Sequence, residues 1–394
     1  MSVSLWRRKS TMHAHSIDDL RRLAQRRLPR AIFDFFDGGA EDEQALRDNR
    51  KAYRRHALVP RVLCDVSDIS LATTIVGAHA ALPIVIAPTG AVGFGWRGGD
   101  VAIARAAARH DIPYTLSTSG TASIAEIAAA AKRRWFQAYI LRNRAFTLRL
   151  IDRALEYGYD GLMITVDLPV GGKRERDFRN DFAIPFRYTA RNLLDFASRP
   201  GWALPMLRHG IPVMPNLPGL EVRSTDSNAL ASSVGRNYDP SFDWNDLAAI
   251  RAHWPHKLIV KGIVHPDDAR RAADIGVDAI VVSNHGGRQL DAGGATLDAL
   301  QAVAAAVGER IDVLVDGGVR RGSDIVKALA LGARAVLIGR PTLYGVCADG
   351  EAGAHRALDI LADELRRTMQ LCGITRISDI GPSLLAPQSR MALR

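Results

Sequence analysis

Asp278-Ala279-Ile280-Val281-Val282-Ser283-Asn284-His285-Gly286-Gly287-Arg288-Gln289-Leu290-Asp291 is an apolar run that breaks off into polar residues and two glycines. The run reads as a short buried strand. A histidine and an arginine, three residues apart, therefore sit at the carboxyl end of a strand. Gly286 and Gly287 let the backbone turn tightly and approach a ligand with no Cβ in the way. Histidine exchanges a proton near neutral pH, and arginine grips a carboxylate through two parallel hydrogen bonds. A base beside a carboxylate clamp suits an enzyme that takes a proton from a small organic acid. For His285 taken alone, a structural role is the alternative.

The same unit recurs along the chain. Apolar runs at 82–87, 112–116, 135–139, 161–166, 257–261, 278–282, 311–315 and 334–338 alternate with helical patterns near 100–110, 122–131, 145–158, 266–275, 296–307 and 322–331. A last helix is expected over 354–371. Eight strand–helix units predict an α/β fold, a (β/α)8 TIM barrel of the usual roughly 250 residues plus an insertion. A doubly wound open sheet is the rival. No Gly-x-Gly-x-x-Gly follows the first strand, which favours the barrel. Before it, residues 16–28 read as a capped helix and 30–50 as a second helix broken at Gly38-Gly39. The expected organisation is one domain, 1–394, with a helical part over 1–80, a barrel over 81–380 and an insertion over 171–245.

Barrel chemistry lies at the carboxyl ends of the strands. Here those ends carry Pro88, Thr89 and Gly90, then Ser117, then Gln137 and Tyr139, then Thr165 and Asp167, then Lys261, then Ser283, His285 and Arg288. The seventh gives Asp316, Gly317, Gly318 and Arg320, and the eighth Gly339 and Arg340. Packing layers alone call for Val, Ile and Leu at such places. Glycines, arginines and new helix starts in the last two loops suit a phosphate; ordinary turns with solvated arginines are the alternative.

The 394 residues are 47% hydrophobic, enough for a full core. The net charge of +10 admits anionic partners. The basic residues are scattered without interleaved aromatics, so no nucleic-acid partner is expected. Cys64, Cys347 and Cys372 form no metal-binding spacing, and an odd count argues against a disulfide framework. No metal is expected, and a reducing compartment is. Arg7, Arg8 and Lys9 precede no apolar segment of a secretory signal.

Taken together, the motifs resemble those of the FMN-dependent α-hydroxy acid dehydrogenases and oxidases. The resemblance runs from about 16 to 380 and rests on 283–291, 87–90, 135–139, 165–167, 174–177, 260–262, 316–322 and 338–340. It implies FMN as cofactor and a small 2-hydroxy acid as substrate. It implies that His285 is the base, Asp167 the group that stabilises the imidazolium and raises its pKa, and Tyr139 a hydrogen-bonding partner of the substrate. Arg174 and Arg288 would clamp the carboxylate. Lys261 would stabilise the reduced flavin; Ser117, Gln137, Thr165 and Ser283 would bond the ring or ribityl chain. Pro88, Thr89, Asp316 and Gly317 complete the cofactor set, and Gly318, Arg320, Gly339 and Arg340 would hold the phosphate. Gly90 is the residue that the family's dehydrogenases tend to carry where its oxidases carry alanine. One position departs from the pattern: Phe35 stands where the family usually has a tyrosine that helps to hold the carboxylate.

The insertion mixes Leu193, Leu194, Phe196, Trp202, Leu204, Met206 and Leu207 with Arg187, Arg191, Arg199 and Arg208. That composition suits an anionic membrane surface; a lid or a subunit contact is the alternative. The segment resembles the membrane-associating insertion of the mandelate-oxidising branch of the family. A peripheral membrane enzyme on the cytoplasmic face of the inner membrane follows, with segment 187–215 as anchor, quinone as acceptor and a homotetramer as assembly. The competing expectations are a soluble oxidase producing hydrogen peroxide and a non-redox FMN barrel. Residues 221–240 are polar and expected to be mobile.

Overall fold

The computed structural model describes residues 11–182, 189–217 and 237–387. Two short strands, β1 (Thr73–Ile75) and β2 (Ala78–Ala80), form an antiparallel hairpin. Eight parallel strands follow: β3 (Ile84–Ile86), β4 (Tyr114–Ser117), β5 (Arg134–Tyr139), β6 (Gly161–Thr165), β7 (Lys257–Ile263), β8 (Ala279–Val282), β9 (Asp312–Val315) and β10 (Ala335–Ile338). They close in sequence order, β10 pairing back onto β3. Closure excludes the open sheet and leaves no edge strand in the barrel.

The strands are short and nearly all buried because both faces are covered. Inside, Val85, Trp135, Met163, Ile259, Val281, Leu314 and Leu337 pack together, and Ile75, Val76 and Ala80 of the hairpin join them. The hairpin thus plugs the barrel opposite the mouth. Periodicity did not predict it, since three-residue strands are too short to show alternation.

Outside, the helices lay alanine-rich faces on the strands. Gly99–Arg109 buries Ala102, Ile103, Ala106 and Ala107. The expected helix over 354–371 is the second half of a longer one: helix runs from Arg340 to Leu371, broken at Asp349 and Gly350, where Gly350 has φ +61°. Helix Trp244–His253 supplies the crossover before β7.

The N-terminal part is the helix Ile17–Arg27, capped by Ser16, then Arg30–Asp37 and Gln44–Arg54, with the break at Gly38-Gly39 as expected. Buried Asp37 fastens this part to the barrel. It accepts hydrogen bonds from Arg21 Nε at 2.7 Å, Tyr344 Oη at 2.7 Å and Arg176 Nη1 at 3.2 Å. Burial works against its charge, but the bonds from Arg21 and Tyr344 outweigh it and hold the carboxyl well below its ordinary range.

The insertion contains helices Glu175–Arg179, Ala190–Ala197 and Pro200–His209. Trp202, expected as a membrane anchor, is instead buried, its Nε1 donating to the Phe94 carbonyl at 2.7 Å. An indole finds burial and its one hydrogen bond there. The exposed apolar side chains of the segment are Leu193, Leu194, Leu204, Leu207, Ile211 and Val213. Arg187 and the stretch 218–236 lie outside the described residues.

Candidate active site

Strand register aligns the polar strand ends. Ser117 pairs with Gln137 across β4 and β5, and Thr165 with Lys261 across β6 and β7. The side chains then bond around the mouth: Ser117 Oγ donates to Gln137 Oε1 at 3.0 Å, and Gln137 Nε2 to Thr165 Oγ1 at 2.9 Å. Lys261 Nζ donates to Ser283 Oγ at 2.8 Å and lies 3.3 Å from Asp316 Oδ2. Burial opposes the charge on Lys261, but Asp316 and Asp167 outweigh it and hold the ammonium above its usual pKa. The floor of the mouth is a nearly continuous polar arc with one fixed cation.

Above it opens a cavity of about 1170 Å³, its mouth included. It is bounded by Phe35 and Phe36 from the N-terminal helices, residues 87–91, Tyr139, Arg174, Lys261, His285, Arg288, and the loops 316–320 and 339–341. Asp167 and Ser283 are not in that lining but bond its His285 and Lys261, and the Ser117–Gln137–Thr165 chain joins it where Ser117 Oγ accepts from the Ser119 N–H at 3.2 Å.

Each polar residue after β8 has a separate task. Asn284 and Asn49 exchange side-chain amide bonds at 2.8 and 3.0 Å, joining the loop to helix Gln44–Arg54. Asp291 accepts from the Ala45 N–H at 2.9 Å near the start of that helix, where a negative charge is favoured. Gln289 Nε2 donates to the carbonyls of Asp167 and Val170 at 3.1 and 3.0 Å, fixing the loop after β6. Between these fastenings His285 is held at φ +57°, a left-handed conformation uncommon for a residue with a side chain.

His285 Nδ1 lies 3.1 Å from Asp167 Oδ1. Burial alone would raise the Asp167 carboxyl, but His285 and Lys261 keep it below its usual range and ionised. An ionised carboxylate only accepts, so Nδ1 carries the proton and Nε2 is left with a lone pair. Gly262 permits the approach: at φ +113°, a Cβ there would stand 2.7 Å from Asp167 Cβ. Sequence reasoning expected Asp167 to raise the histidine pKa. Asp167 does push upward, but burial is larger and Lys261 adds to it, so His285 lies below its ordinary value. A neutral imidazole in a buried site is a base ready to accept a proton.

Two guanidiniums face that base. Both pack on Phe35, with Arg174 Cζ and Arg288 Cζ each 5.4 Å from its ring centre. Arg288 Nη1 is fixed by the carbonyls of Phe35 at 2.9 Å and Gly38 at 2.8 Å. Arg174 Nε lies 3.1 Å from Asp177. Burial, with Arg174 and Arg340 close by, pushes Arg288 down to about 9, still charged at neutral pH. This corner has an excess of positive charge and favours an anion.

At the opposite side, Gly317, Gly318 and Arg320 precede helix Gly322–Ala330, and Gly339 caps the helix that starts at Arg340. The Arg340 guanidinium donates to carbonyls of Phe36, Gly38 and Gly286, at 3.1, 2.8 and 3.0 Å, and so ties the N-terminal helices to the His285 loop. What residue 340 presents at the helix start is its main-chain N–H.

Sequence reasoning missed several lining residues, among them Phe36, Met214 and Tyr238. The last two belong to the insertion, whose ends return to the barrel mouth. Asn216 pins one end by bonds with the Ile124 N–H at 3.1 Å and the Ala122 carbonyl at 2.9 Å. The anchor segment assigned to 187–215 therefore reaches into the cavity at Met214. Nothing in the local sequence marks either residue; their placement is a tertiary fact.

A base with its carboxylate partner, an arginine pair and a glycine-lined corner of helix starts, all in one barrel mouth, define an enzyme that handles an organic anion beside a phosphorylated cofactor. The chain belongs to the FMN-dependent dehydrogenase family, whose pattern matches residues 24–387. It is 42% identical over 371 residues to (S)-mandelate dehydrogenase of Pseudomonas putida, covering 94% of this chain and 93% of that one. It is 43% identical over 377 residues to L-lactate dehydrogenase of Caulobacter vibrioides, covering 95% and 98%. Among solved structures it is similar to the crystal structure of the monotopic membrane protein (S)-mandelate dehydrogenase, with a TM-score of 0.88 at 40% identity over 95% of this chain and 99% of that chain. The protein is an FMN-dependent oxidoreductase. The residues present fit FMN: Asp316 Oδ1 and Arg320 Nε are buried without a hydrogen-bond partner, an acceptor and a donor in the walls of the same cavity.

Proposed function

We propose that this enzyme oxidises an (S)-2-hydroxy acid to the 2-oxo acid. The observation that carries the reading is the His285–Asp167 pair facing Arg288 and Arg174 across one cavity. The arginines hold the substrate carboxylate and so orient the neighbouring α-carbon. His285 Nε2 takes a proton, and Asp167 stabilises the imidazolium that forms. Tyr139, whose phenol burial keeps protonated, donates a hydrogen bond to the substrate. FMN, when bound, supplies the acceptor for the two electrons that leave the substrate. Lys261 would provide positive charge for the bound cofactor; Ser117, Gln137, Thr165 and Ser283 would bond its ring or ribityl chain, and Pro88 and Thr89 would complete the set. Asp316 and Gly317 would also contact the cofactor, and Gly318, Arg320, Gly339 and Arg340 would hold its phosphate.

The exposed leucines of Ala190–Ala197 and Pro200–His209 support peripheral attachment to a membrane, with quinone as acceptor at the cytoplasmic face. A relative's description as a monotopic membrane protein points the same way. Among the described residues no helix is long and apolar enough to cross a bilayer. Gly90 is consistent with a dehydrogenase rather than an oxidase; a Cβ there would stand 3.1 Å from Ser119 Cβ and tighten the cavity wall.

The test is anaerobic bleaching of the flavin by a panel of 2-hydroxy acids, repeated with His285→Gln. The parent is expected to bleach with at least one acid. The variant should retain FMN and slow about 10²–10⁴-fold, the usual share of a general base. A parent that no acid bleaches rules out this function.

A further inference from the structure

We propose that Tyr238, delivered by the returning end of the insertion, is a substrate-binding residue whose hydroxyl joins Arg174 and Arg288 on the carboxylate and supplies the donor that Phe35 lacks. The inference rests on the 2-hydroxy acid reading above.

Tyr238 lines the same cavity as Phe35, His285 and both arginines. Its backbone is fixed to the segment that continues β5. Leu141 and Tyr238 form an antiparallel bridge, Arg142 N–H donates to the Asn237 carbonyl at 2.8 Å, and Asp239 N–H to the Ile140 carbonyl at 3.0 Å. Arg142 Nε adds a bond to the Tyr238 carbonyl at 3.3 Å. The residue is therefore placed by the strand that ends in Tyr139, and the two rings pack at 5.2 Å. Tyr139 in turn stacks at 6.4 Å on His285.

Only 8% of Tyr238 is exposed, and among the described residues its hydroxyl makes no hydrogen bond. That oxygen is not among the fully enclosed polar atoms left without a partner, so it opens onto the cavity that the residue lines and is available to a ligand. Arg174, Arg288 and Asp167 all lie within electrostatic reach of that hydroxyl, as they do for Tyr139. Burial keeps both phenols protonated, so each offers a donor to an anion. Phe35, by contrast, offers the two guanidiniums only its ring and has no hydroxyl.

The experiment uses the FMN-loaded full chain. Oxalate, an unreactive dicarboxylate, is titrated against the oxidised flavin absorbance, and anaerobic reduction by the best hydroxy acid is followed in parallel. Tyr238→Phe is expected to weaken oxalate about tenfold, one hydrogen bond to a charged group. The pH profile of reduction should keep its shape, because His285 is untouched. Adding Phe35→Tyr to Tyr238→Phe should recover oxalate affinity, and by more than Phe35→Tyr gains in the parent, because the two phenols serve one anion. Oxalate binding by Tyr238→Phe equal to that of the parent overturns the proposal. So does a loss that Phe35→Tyr does not recover, which would make Tyr238 a packing residue. A parent that no hydroxy acid reduces defeats the underlying reading instead, and the oxalate titration separates the two cases.

Discussion

His285 acts through two opposed influences that differ in size. Burial and Lys261 lower its pKa, and Asp167 raises it, with burial the larger. As the proposed base, His285 must be neutral to accept a proton, so the acid limb of kcat/KM in the parent should fall below the ordinary histidine value of about 6.5. Asp167→Asn removes the upward contribution. The limb should then move to still lower pH, while the plateau rate drops because a weaker base accepts the proton less readily. Measuring kcat/KM from pH 4.5 to 8 in both proteins checks the sign; a limb that moves up in Asp167→Asn would show that Asp167 does not act through His285. The histidine and its neighbours were legible in the sequence because the chemistry needs particular residue types at strand ends. The direction of the pKa shift was not, since it depends on how deeply the loop is buried. Tyr238 and Met214 were illegible for a related reason: they reach the site across a long insertion, and no local pattern records that return.

Elements differed in legibility by length. The eight barrel strands and most of the helices between them showed through because each buried run is bounded by polar turns and many of the helices carry an alanine-rich face; the crossover helix Trp244–His253, placed after the long insertion, did not. The plug hairpin of β1 and β2 was too short for any period to appear. In the insertion, composition suggested an apolar surface, but only packing could sort its members. Trp202 turned inward and bonds Phe94, whereas Leu194 and Leu207 are 74% and 81% exposed. Deleting the whole segment would therefore remove core and cavity side chains along with the exposed face. Replacing Leu193, Leu194, Leu204 and Leu207 by glutamine is the cleaner test. Full burial of one leucine stabilises by roughly 1.5–3 kcal/mol, so losing four should release the protein from anionic vesicles in a flotation assay. Activity with a soluble dye should survive, because none of the four lines the cavity. Co-flotation of the variant with vesicles, at the parent's level, would assign that face to a subunit contact.

On the scale of the molecule, the cavity is shared between parts that are distant in sequence. Phe35 and Phe36 come from the N-terminal helices, residues 87–91 from the first barrel loop and residues 316–320 and 339–341 from the last two. Asp37, Arg340 and the Asn49–Asn284 pair hold those parts together, and all of them lie beside the cavity rather than in the hydrophobic layer between strands and helices. A ligand that fits there binds only the docked arrangement, so its binding free energy adds to the stability of the whole chain. At one hundred times its Kd, FMN should stabilise by about 2.7 kcal/mol. With roughly 2.1 cal/mol/K of unfolding entropy per residue, the 394 residues convert that into a rise of about 3 °C in Tm. Asp37→Asn leaves Arg21 and Arg176 short of their shared acceptor and should cost about 1–3 kcal/mol, a fall of roughly 1–4 °C by the same conversion. Because the N-terminal helices form one wall of the cavity proposed to hold FMN, that variant should also bind FMN more weakly, and a given FMN concentration should raise its Tm by less than it raises the parent's. Differential scanning calorimetry of both apoproteins over a series of FMN concentrations measures the two increments. Equal increments in parent and variant would mean that the cofactor site is complete without the docked N-terminal helices.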